Sequence, residues 1–393
     1  MEPLFVFCAD LHLEDGAWTT RPGIYGDAYY SFDQIVDYCI AHNLPLILGG
    51  DVLEKKQNLA RPIAKLCDGL SRMQKANVRV YYIQGNHEYD RNAPWLSVHP
   101  WPIHLHDTGV QFGAAEVGVW GLDWLPRGEI QDAFKQVPAD TDILITHQVW
   151  KDFMGTVGRT ECELTEVHHV QNVLAGDFHV TKIVSSVNAQ GNAISMLSPG
   201  STCMQDMGES PEKFFFVISC ETDGKIAFEP KKLKTRRLIV HRVETQELLD
   251  DLCAGRLVSE IQTCIDESVA DGIPAHIQKP LVRVKFDKNL PDAYLRIMTC
   301  VGELAHTFCE AIAEKTQQRR ASSRDVVKND LLTAVADLIG DSNEAYKLAE
   351  TLLNADDPAK EIDAVFQKYM NEEPDAASEI GSEELGAPQT TDV

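Results

Sequence analysis

Short apolar runs that end in polar residues recur along the first half of the chain. The clearest is Val78 to Asp90, VRVYYIQGNHEYD, in which β-branched and aromatic residues stop at Gly85 and polar side chains follow at once. This pattern predicts a buried strand. In open α/β sheets ligands bind at the carboxyl edge of the strands, so these polar groups are candidate site residues. Further runs of this kind are Leu4 to Ala9, Pro45 to Leu48, Asp142 to Thr146 and Val173 to Ala175.

Helical periodicity separates the first three of these runs. Tyr29 to His42 and Leu59 to Gln74 carry apolar residues close to helical spacing, which predicts a β-α-β-α-β order and a layered α/β core. Gly118 to Leu122 is a further predicted strand. Lys213 to Cys220 and Lys225 to Phe228 predict a hairpin across Asp223-Gly224.

The pattern changes near Pro230. A basic run leads into a predicted strand at Leu238 to Val243, and a long helix is predicted over Glu247 to Ala270. The predicted strand Leu281 to Phe286, helix Ala293 to Leu304 and strand Thr307 to Ala313 complete a small second α/β unit. The basic residues of the run are Lys231, Lys232, Lys234, Arg236 and Arg237.

Beyond a polar linker at residues 315–323, helical periodicity returns over Asp325 to Met370. Residues 371–393 are acidic, and we expect them to be disordered. The expected domains are therefore residues 1–230, residues 238–313, a helical segment over 325–370 and the tail. Short helices with apolar faces bury little surface alone, which favours a partner-binding role for 325–370.

Composition narrows the class of protein. The chain of 393 residues has 60 acidic and 36 basic residues, a net charge of -24, so loose charge-driven binding to nucleic acid is not expected. Contact with nucleic acid would need basic patches, bound cations or a partner. The ten cysteines are scattered, which is typical of reduced thiols in an intracellular protein. With no apolar leader and no membrane-length apolar run, we expect a soluble, cytoplasmic protein.

The polar residues at the strand ends offer both nitrogen and oxygen ligands, a mixture that suits divalent manganese, iron, zinc or nickel. Because the set contains no cysteine, a structural zinc site is not expected. There are too many of them for one ion. A central Asp51 could bridge two ions about 3.5–4 Å apart. The residues, in chain order, are Asp10, His12, Asp51, Asn86, His87, His147, Asp177 and His179.

These segments resemble the calcineurin-like metallophosphoesterases over roughly residues 1–220. The family hallmarks D-x-H, G-D, G-N-H-[DE], H and G-H-x-H correspond to Asp10-Leu11-His12, Gly50-Asp51, Gly85-Asn86-His87-Glu88, His147 and Gly176-Asp177-Phe178-His179. The resemblance implies a two-sheet sandwich flanked by helices. It implies one ion held by Asp10, His12, Asp51 and His179, and another held by Asp51, Asn86, His147 and Asp177. His87 would protonate the leaving oxygen, a role that suits histidine near pH 7.

The sequence departs from the family pattern at two positions. Asp177 stands where an imidazole is expected, and its extra negative charge favours a harder ion such as manganese or magnesium. Glu54 stands where nuclease members often carry a histidine. Glu88 is expected to orient other residues. His104, His106, His168 and His169 are expected to be surface or packing residues.

Three features resemble the SbcD/Mre-type DNA nucleases within this superfamily: the turn Ser198-Pro199-Gly200-Ser201, the small unit over Leu238 to Ala313, and the helical segment that follows it. The resemblance implies a nuclease subunit, cellular or phage-encoded, that forms a homodimer within an SbcCD-like complex and acts in DNA repair, recombination or end processing. Its C-terminal helices would dock on an SbcC/Rad-type coiled-coil ATPase. The basic run would bind along a DNA backbone. Alternatively, it is a solvent-exposed segment at the start of a strand.

Two alternatives stay open at this point. One is a phosphomonoesterase or small-molecule phosphodiesterase that uses the same metals. The other is a catalytically silent scaffold of the same fold. The presence of His87 and seven candidate ligands argues against this second alternative.

Overall fold

The computed structural model describes residues 1–14, 23–55, 60–91, 99–155 and 160–312. The chain divides into two compact units, Met1–Ala313 and Glu314–Val393, and all the described residues belong to the first. The predicted helical segment over 325–370 and the acidic tail lie outside the described residues.

Fifteen strands and eight helices make up the described part of the chain. The strands are β1 (Glu2–Cys8), β2 (Leu46–Gly49), β3 (Val80–Ile83), β4 (Ile103–His104), β5 (Thr108–Phe112), β6 (Val117–Leu122), β7 (Ile143–His147), β8 (Asn172–Gly176), β9 (Lys182–Val187), β10 (Ala193–Ser198), β11 (Phe214–Cys220), β12 (Ile226–Lys232), β13 (Leu238–Val243), β14 (Leu281–Asp287) and β15 (His306–Ile312). The helices are α1 (Asp27–His42), α2 (Ala60–Lys75), α3 (Arg127–Gln136), α4 (Lys151–Met154), α5 (Gln246–Asp251), α6 (Leu257–Ala270), α7 (Ala275–Gln278) and α8 (Ala293–Val301).

Two six-stranded sheets form the larger part of the unit. Their strand orders are β12-β11-β1-β2-β3-β4 and β5-β6-β7-β8-β10-β9. In the first sheet β1, β2, β3 and β4 run parallel, and in the second β6, β7, β8 and β10 run parallel. The strands that precede the candidate ligands are therefore neighbours within each sheet.

Strand β1 shows why the sheets lie at the centre of this fold. Phe5 and Phe7 pack in a cluster with Ile145 of the second sheet, so that face lies between the two sheets. Val6, on the opposite face, packs in a second cluster with Phe32 of α1. A strand covered on both faces is apolar throughout, which explains the unbroken run at Leu4 to Ala9. The predicted two-sheet sandwich flanked by helices is confirmed.

A third sheet, β13-β14-β15, is parallel and has its own apolar cluster, to which α6 and α8 contribute. The prediction of one helix over Glu247 to Ala270 is wrong in one respect. A π-helical turn at Leu252–Arg256 separates α5 from α6, and Gly255 there has φ 122°. This conformation is accessible to glycine and breaks the regular helix. Within the described residues, no helix is long and apolar enough to cross a membrane.

Candidate metal centre

The strand ends bring the predicted ligands together. Strands β1 and β2 lead into Asp10 and Asp51 at one edge of the first sheet, and β7 ends with His147 in the second sheet. All three residues are buried, as is His12. Parallel strands end at a common edge, so residues distant in sequence meet there.

Among the described residues, three groups of three side chains are close enough to hold an ion. Their ligand atoms lie within 4.8 Å of one another, and the groups are Asp10, His12 and His179; Asp10, Asp51 and His147; and His12, Glu54 and His87. His12 Nε2 lies 3.1 Å from His179 Nε2 and 4.0 Å from Asp10 Oδ1. His179 Nε2 lies 3.9 Å from the same oxygen.

Asp51 is central to the cluster. Its Oδ2 lies 3.2 Å from His147 Nε2, 3.8 Å from His12 Nε2 and 3.9 Å from His87 Nε2. One carboxylate oxygen thus faces three imidazoles from different segments. This position suits the bridging role that its place in the sequence suggests.

Two buried atoms of the cluster lack well-aligned hydrogen bonds. Asp10 Oδ2 and His147 Nε2 are shielded from solvent and form no well-aligned hydrogen bond with any described residue, although His147 Nε2 lies 3.2 Å from Asp51 Oδ2. A buried polar atom without a partner is costly in free energy, and such atoms are rare in folded proteins. Converging carboxylate oxygens and imidazole nitrogens are the donors that Mn²⁺, Fe²⁺ and Zn²⁺ accept. The residues therefore fit a divalent metal centre.

The charges within the cluster compensate one another. Burial disfavours a charged His12, but a hydrogen bond to Glu54 and the nearby Asp51 and Asp10 outweigh it and raise the pKa of His12 to about 9. Burial opposes ionisation of Asp51 as well, yet the facing histidines, His147 first, hold the pKa of Asp51 below its usual range. The carboxylates therefore present negative charge to a cation in a dry environment.

Four of the predicted ligands have an unusual backbone. Asp10, His12, Asp51 and Asp177 adopt positive φ angles of 52°, 47°, 49° and 78°. Residues other than glycine adopt this left-handed conformation at a cost of order 1 kcal/mol or more, and it is concentrated at functional sites. The turns that follow the strands aim these side chains at a common point.

Two glycines let the backbone approach the ligands closely. A Cβ at Gly85 would lie 2.1 Å from Asp51 Oδ1, and one at Gly176 would lie 2.3 Å from His147 Nδ1. Both distances are too short for any side chain. The glycines of the G-N-H-E and G-D-F-H segments are therefore required by packing against the ligands.

His87 lies beside the carboxylates with its ring partly open to solvent. Its side chain is 36% exposed, and its backbone N–H donates to Asp51 Oδ1 over 3.0 Å. Asn86, next to it in the turn, is exposed. His87 also forms a group with His12 and Glu54 that could itself hold an ion. Its assignment as proton donor therefore competes with a role as ligand.

Asp177 lies at the edge of the cluster, with Oδ1 4.0 Å from His147 Nε2. Its backbone N–H donates to Asp10 Oδ1 over 3.1 Å. Burial raises the pKa of Asp177 to about 6, with Asp10 and Asp51 acting in the same direction and His147 against them. The carboxylate is therefore within reach of an ion at His147.

Glu88 joins the two loops that carry Asp51 and His87. It is fully buried, and its two oxygens accept from the backbone N–H groups of Leu53 and Gly85, each over 3.1 Å. This contact agrees with its expected role in orienting other residues. Glu209 and Lys213, in contrast, were missed in the sequence, although Glu209 Oε1 lies 3.0 Å from His179 Nδ1. The only sequence signal is the four-residue spacing of the two opposite charges.

His104 is a packing residue, as expected. Its ring stacks on Tyr82 at 4.7 Å, and its Nε2 lies 2.9 Å from the carboxylate of buried Asp123. Asp123 in turn accepts from Gln84, the residue after β3.

Most of the basic run lies near a groove of about 570 Å³, beside the segment that leads from β12 into β13 of the third sheet. Lys232, Lys234 and Arg237 line it. Each cation of the run already has a partner in the chain: Lys231 pairs with Glu229, Lys232 with Glu212, Lys234 with the Asp271 carbonyl, and Arg237 with Asp271.

Arg236 does not face the groove as an available cation. It is 1% exposed, and its guanidinium forms two hydrogen bonds with Asp27, each 2.9 Å long. It also donates to the carbonyl oxygen of Lys279 over 2.7 Å. The expectation that Arg236 contacts a DNA backbone is wrong, because a buried and fully engaged guanidinium cannot reach one.

Comparison with known proteins agrees with this geometry. The family model of calcineurin-like phosphoesterases matches residues 3–181, which include every residue of the cluster. Residues 3–181 form a calcineurin-like phosphoesterase domain. The resemblance inferred from the five sequence segments is thereby confirmed for residues 3–181.

Two individual proteins are also similar to this chain. The DNA double-strand break repair protein Mre11 of Haloferax volcanii is 25% identical over 160 residues, covering 38% of this chain and 35% of that protein. The chain therefore spans about a third of the length of this curated relative. A glutamine-dependent NAD+ synthetase from Acinetobacter baumannii, solved with ADP, aligns with a TM-score of 0.28 and 9% identity over 94% of this chain and 74% of that chain. A likeness at that level carries no argument.

Proposed function

We propose that this phosphoesterase is a DNA nuclease, the nuclease subunit of an SbcCD-like complex that acts in DNA repair, recombination or end processing. The observation that carries the proposal is the convergence of Asp10, Asp51 and His147, buried and close together, with a partly exposed His87 beside them. The similarity to a protein named for DNA double-strand break repair supports DNA as the substrate.

The ligands divide between two ions in this proposal. Asp10, His12, Asp51 and His179 would hold one, and Asp51, Asn86, His147 and Asp177 the other. When bound, two divalent ions supply positive charge against the phosphoryl oxygens and a hydroxide nucleophile at neutral pH. Manganese fits the carboxylate-rich set, and magnesium is the second choice.

His87 serves the leaving group. Its Nδ1 lies 2.7 Å from the Glu54 carbonyl oxygen, which can only accept, so Nδ1 keeps its proton. The proton available for transfer is therefore the one on Nε2 of the imidazolium form. Donated to the departing oxygen, it prevents the build-up of an alkoxide charge, and the ring remains as the neutral Nδ1–H tautomer.

The groove lined by Lys232, Lys234 and Arg237 is the proposed place for a DNA backbone. These cations are paired with carboxylates or a carbonyl, so phosphates would have to compete for them. We expect weak, salt-sensitive binding by this chain alone, because its net charge is -24. A partner ATPase would supply the missing affinity.

The discriminating experiment compares three substrates in Mn²⁺ and in EDTA: linear duplex DNA, single-stranded circles and a phenyl phosphodiester. The proposal predicts metal-dependent cleavage of DNA. Hydrolysis of the phenyl phosphodiester without DNA cleavage would instead support a small-molecule phosphodiesterase. Full activity in EDTA would exclude the metal mechanism.

The partner is tested by a chain that ends at Ser323. We expect the metal centre and the fold of residues 1–313 to be unchanged, and co-purification with a coiled-coil ATPase and ATP-dependent stimulation of duplex cleavage to be lost. A truncated chain that aggregates, or that still forms the complex, would contradict a partner-binding role for 325–370.

A further inference from the structure

The four histidines of the cluster have different partners behind them. His12 Nδ1 lies 2.7 Å from Glu54 Oε2, and His179 Nδ1 lies 3.0 Å from Glu209 Oε1. The Nδ1 atoms of the other two donate to backbone carbonyls, His87 to that of Glu54 over 2.7 Å and His147 to that of Gly49 over 2.8 Å. Glu54 Oε1 lies 3.6 Å from His87 Nδ1, beyond hydrogen-bond distance, so among these four histidines only His12 and His179 have a carboxylate hydrogen-bonded to Nδ1.

These contacts determine which nitrogen carries the proton. An ionised carboxylate only accepts hydrogen bonds, so the Nδ1 atoms of His12 and His179 must donate. In a neutral ring the lone pair is then on Nε2. The two Nε2 atoms lie 3.1 Å apart and both face Asp10 Oδ1, which is the arrangement that one ion shared by the two rings requires.

Glu209 is itself held rigidly. Its Oε2 accepts from Lys213 Nζ over 2.5 Å and from Ser201 Oγ over 2.9 Å, which leaves Oε1 for His179. Lys213 is 3% exposed and also donates to Ser201 Oγ over 2.7 Å. The buried ammonium of Lys213 gives Glu209 a fixed partner of opposite charge and holds its carboxylate against His179.

Glu54 holds two histidines at once. Its side chain accepts from His12 and its backbone carbonyl from His87. The side chain is 23% exposed, so it needs no buried counter-ion of the kind that Lys213 provides for Glu209. Substitution at Glu54 can therefore remove one contact and leave the other in place.

We propose that Glu54 and Glu209 are positioning residues that fix His12 and His179 as Nε2 ligands, and that they make the ion site of these two histidines the tighter of the two. A carboxylate behind a ligating imidazole fixes the ring orientation and raises its basicity, whereas a carbonyl does so more weakly. The other site has a single carbonyl-backed histidine, His147, and the exposed Asn86. This inference rests on the ligand assignment of the proposed function.

The test measures Mn²⁺ binding by calorimetry in Glu54→Gln, Glu209→Gln and wild type. Each substitution keeps the shape of the side chain and removes its charge. We expect two binding events in the wild type and a loss of about 10–100-fold in affinity, in each variant, at the tighter one. Glu212→Gln is the matched control. It lies three residues from Glu209 and pairs on the surface with Lys232, so both affinities should stay at the wild-type values.

A second readout does not depend on metal or activity. Nitrogen NMR of the imidazole rings in metal-free protein should show a protonated Nδ1 at His179 in the wild type and in Glu209→Asp. Glu209→Gln should allow the Nε2–H tautomer to appear. If Glu209→Gln fails to fold because Lys213 is left without its carboxylate, the Mn²⁺ titration of Glu54→Gln decides the proposal.

The outcomes distinguish a failure of the positioning role from a failure of the proposed function. Two wild-type affinities in both glutamine variants would overturn the positioning role alone, as would a wild-type His179 whose neutral ring carries its proton on Nε2. A wild type that binds no divalent ion would overturn the metal centre, and with it the present proposal.

Discussion

Two of the buried charged clusters among the described residues, one around Arg236 and one at the strand ends, differ in how completely their polar atoms are satisfied. At the junction of the third sheet, all three nitrogens of the Arg236 guanidinium donate hydrogen bonds, to Asp27, Lys279 and two further carbonyls. At the strand ends, Asp10 Oδ2 and His147 Nε2 are equally buried and form no well-aligned hydrogen bond within the described part of the chain.

This difference distinguishes a structural ion pair from a site that binds a ligand. A buried charge that is fully paired gives no sign of a ligand, and its removal leaves a partner charge uncompensated. Buried atoms that converge without partners indicate that something else is bound there. The sequence pattern cannot make this distinction, which is why Arg236 stood with its basic neighbours among the candidate DNA-binding residues.

Asp51→Asn should have the largest effect on metal binding and turnover. Asp51 faces three imidazoles, so loss of its charge should abolish binding of at least one ion and lower turnover by at least about 10³-fold. Thermal unfolding should show that Mn²⁺ stabilises the wild type more than the variant. Equal stabilisation of both by Mn²⁺ would mean that the ions bind elsewhere.

If the partly exposed His87 ring donates a proton and is not a ligand, as proposed, His87→Ala should lower turnover by about 10²-fold or more while both ions still bind. Rates and metal stoichiometry are measured on the same preparation. If the variant loses one equivalent of metal, His87 belongs to the ligand group with His12 and Glu54, and the assignment as proton donor is wrong.

Arg236→Met should instead lower the stability of the fold without any effect of metal. Breaking the buried pair with Asp27 should lower the free energy of unfolding by about 3–5 kcal/mol, equally in Mn²⁺ and in EDTA. Arg237→Met is the matched control, since Arg237 is 37% exposed and should contribute at most about 1 kcal/mol. An Arg236→Met protein with wild-type stability but weak DNA binding would restore the original expectation for this residue.

Asp177 gives the smallest and most selective effect. Asp177→Ala should weaken one ion by about tenfold or more, and Asp177→His should retain activity with a changed metal preference, because one good ligand replaces another. The measurement is a titration with Mn²⁺, Mg²⁺ and Zn²⁺. Unchanged affinity and rate in Asp177→Ala would show that the carboxylate has no part in the centre.

The sandwich and the positions of the predicted ligands could be predicted because they depend on local pattern. Apolar runs such as Leu4 to Ala9 become buried strands, and residues after parallel strands share an edge, so Asp10 and Asp51 meet without any long-range information. The positive φ angles at these residues leave no such signal, because aspartate and histidine occur in many turns.

The rest depends on tertiary contacts. Glu209 lies 30 residues beyond His179 in an irregular segment without periodicity, so nothing in the sequence links it to that ring. Arg236 stands in a run of basic residues, and only its contacts with α1, α7 and the Lys279 carbonyl show that it is buried. Gly255 interrupts a helical pattern that is otherwise continuous.

The proposed metal centre holds two ions, one on either side of Asp51. Anomalous diffraction from crystals soaked in Mn²⁺ measures their number and positions. We predict two peaks, one among Asp10, His12 and His179 and the other beside His147 and Asp177, with Asp51 between them. A single peak, or peaks away from Asp51, would contradict a two-ion centre at these residues.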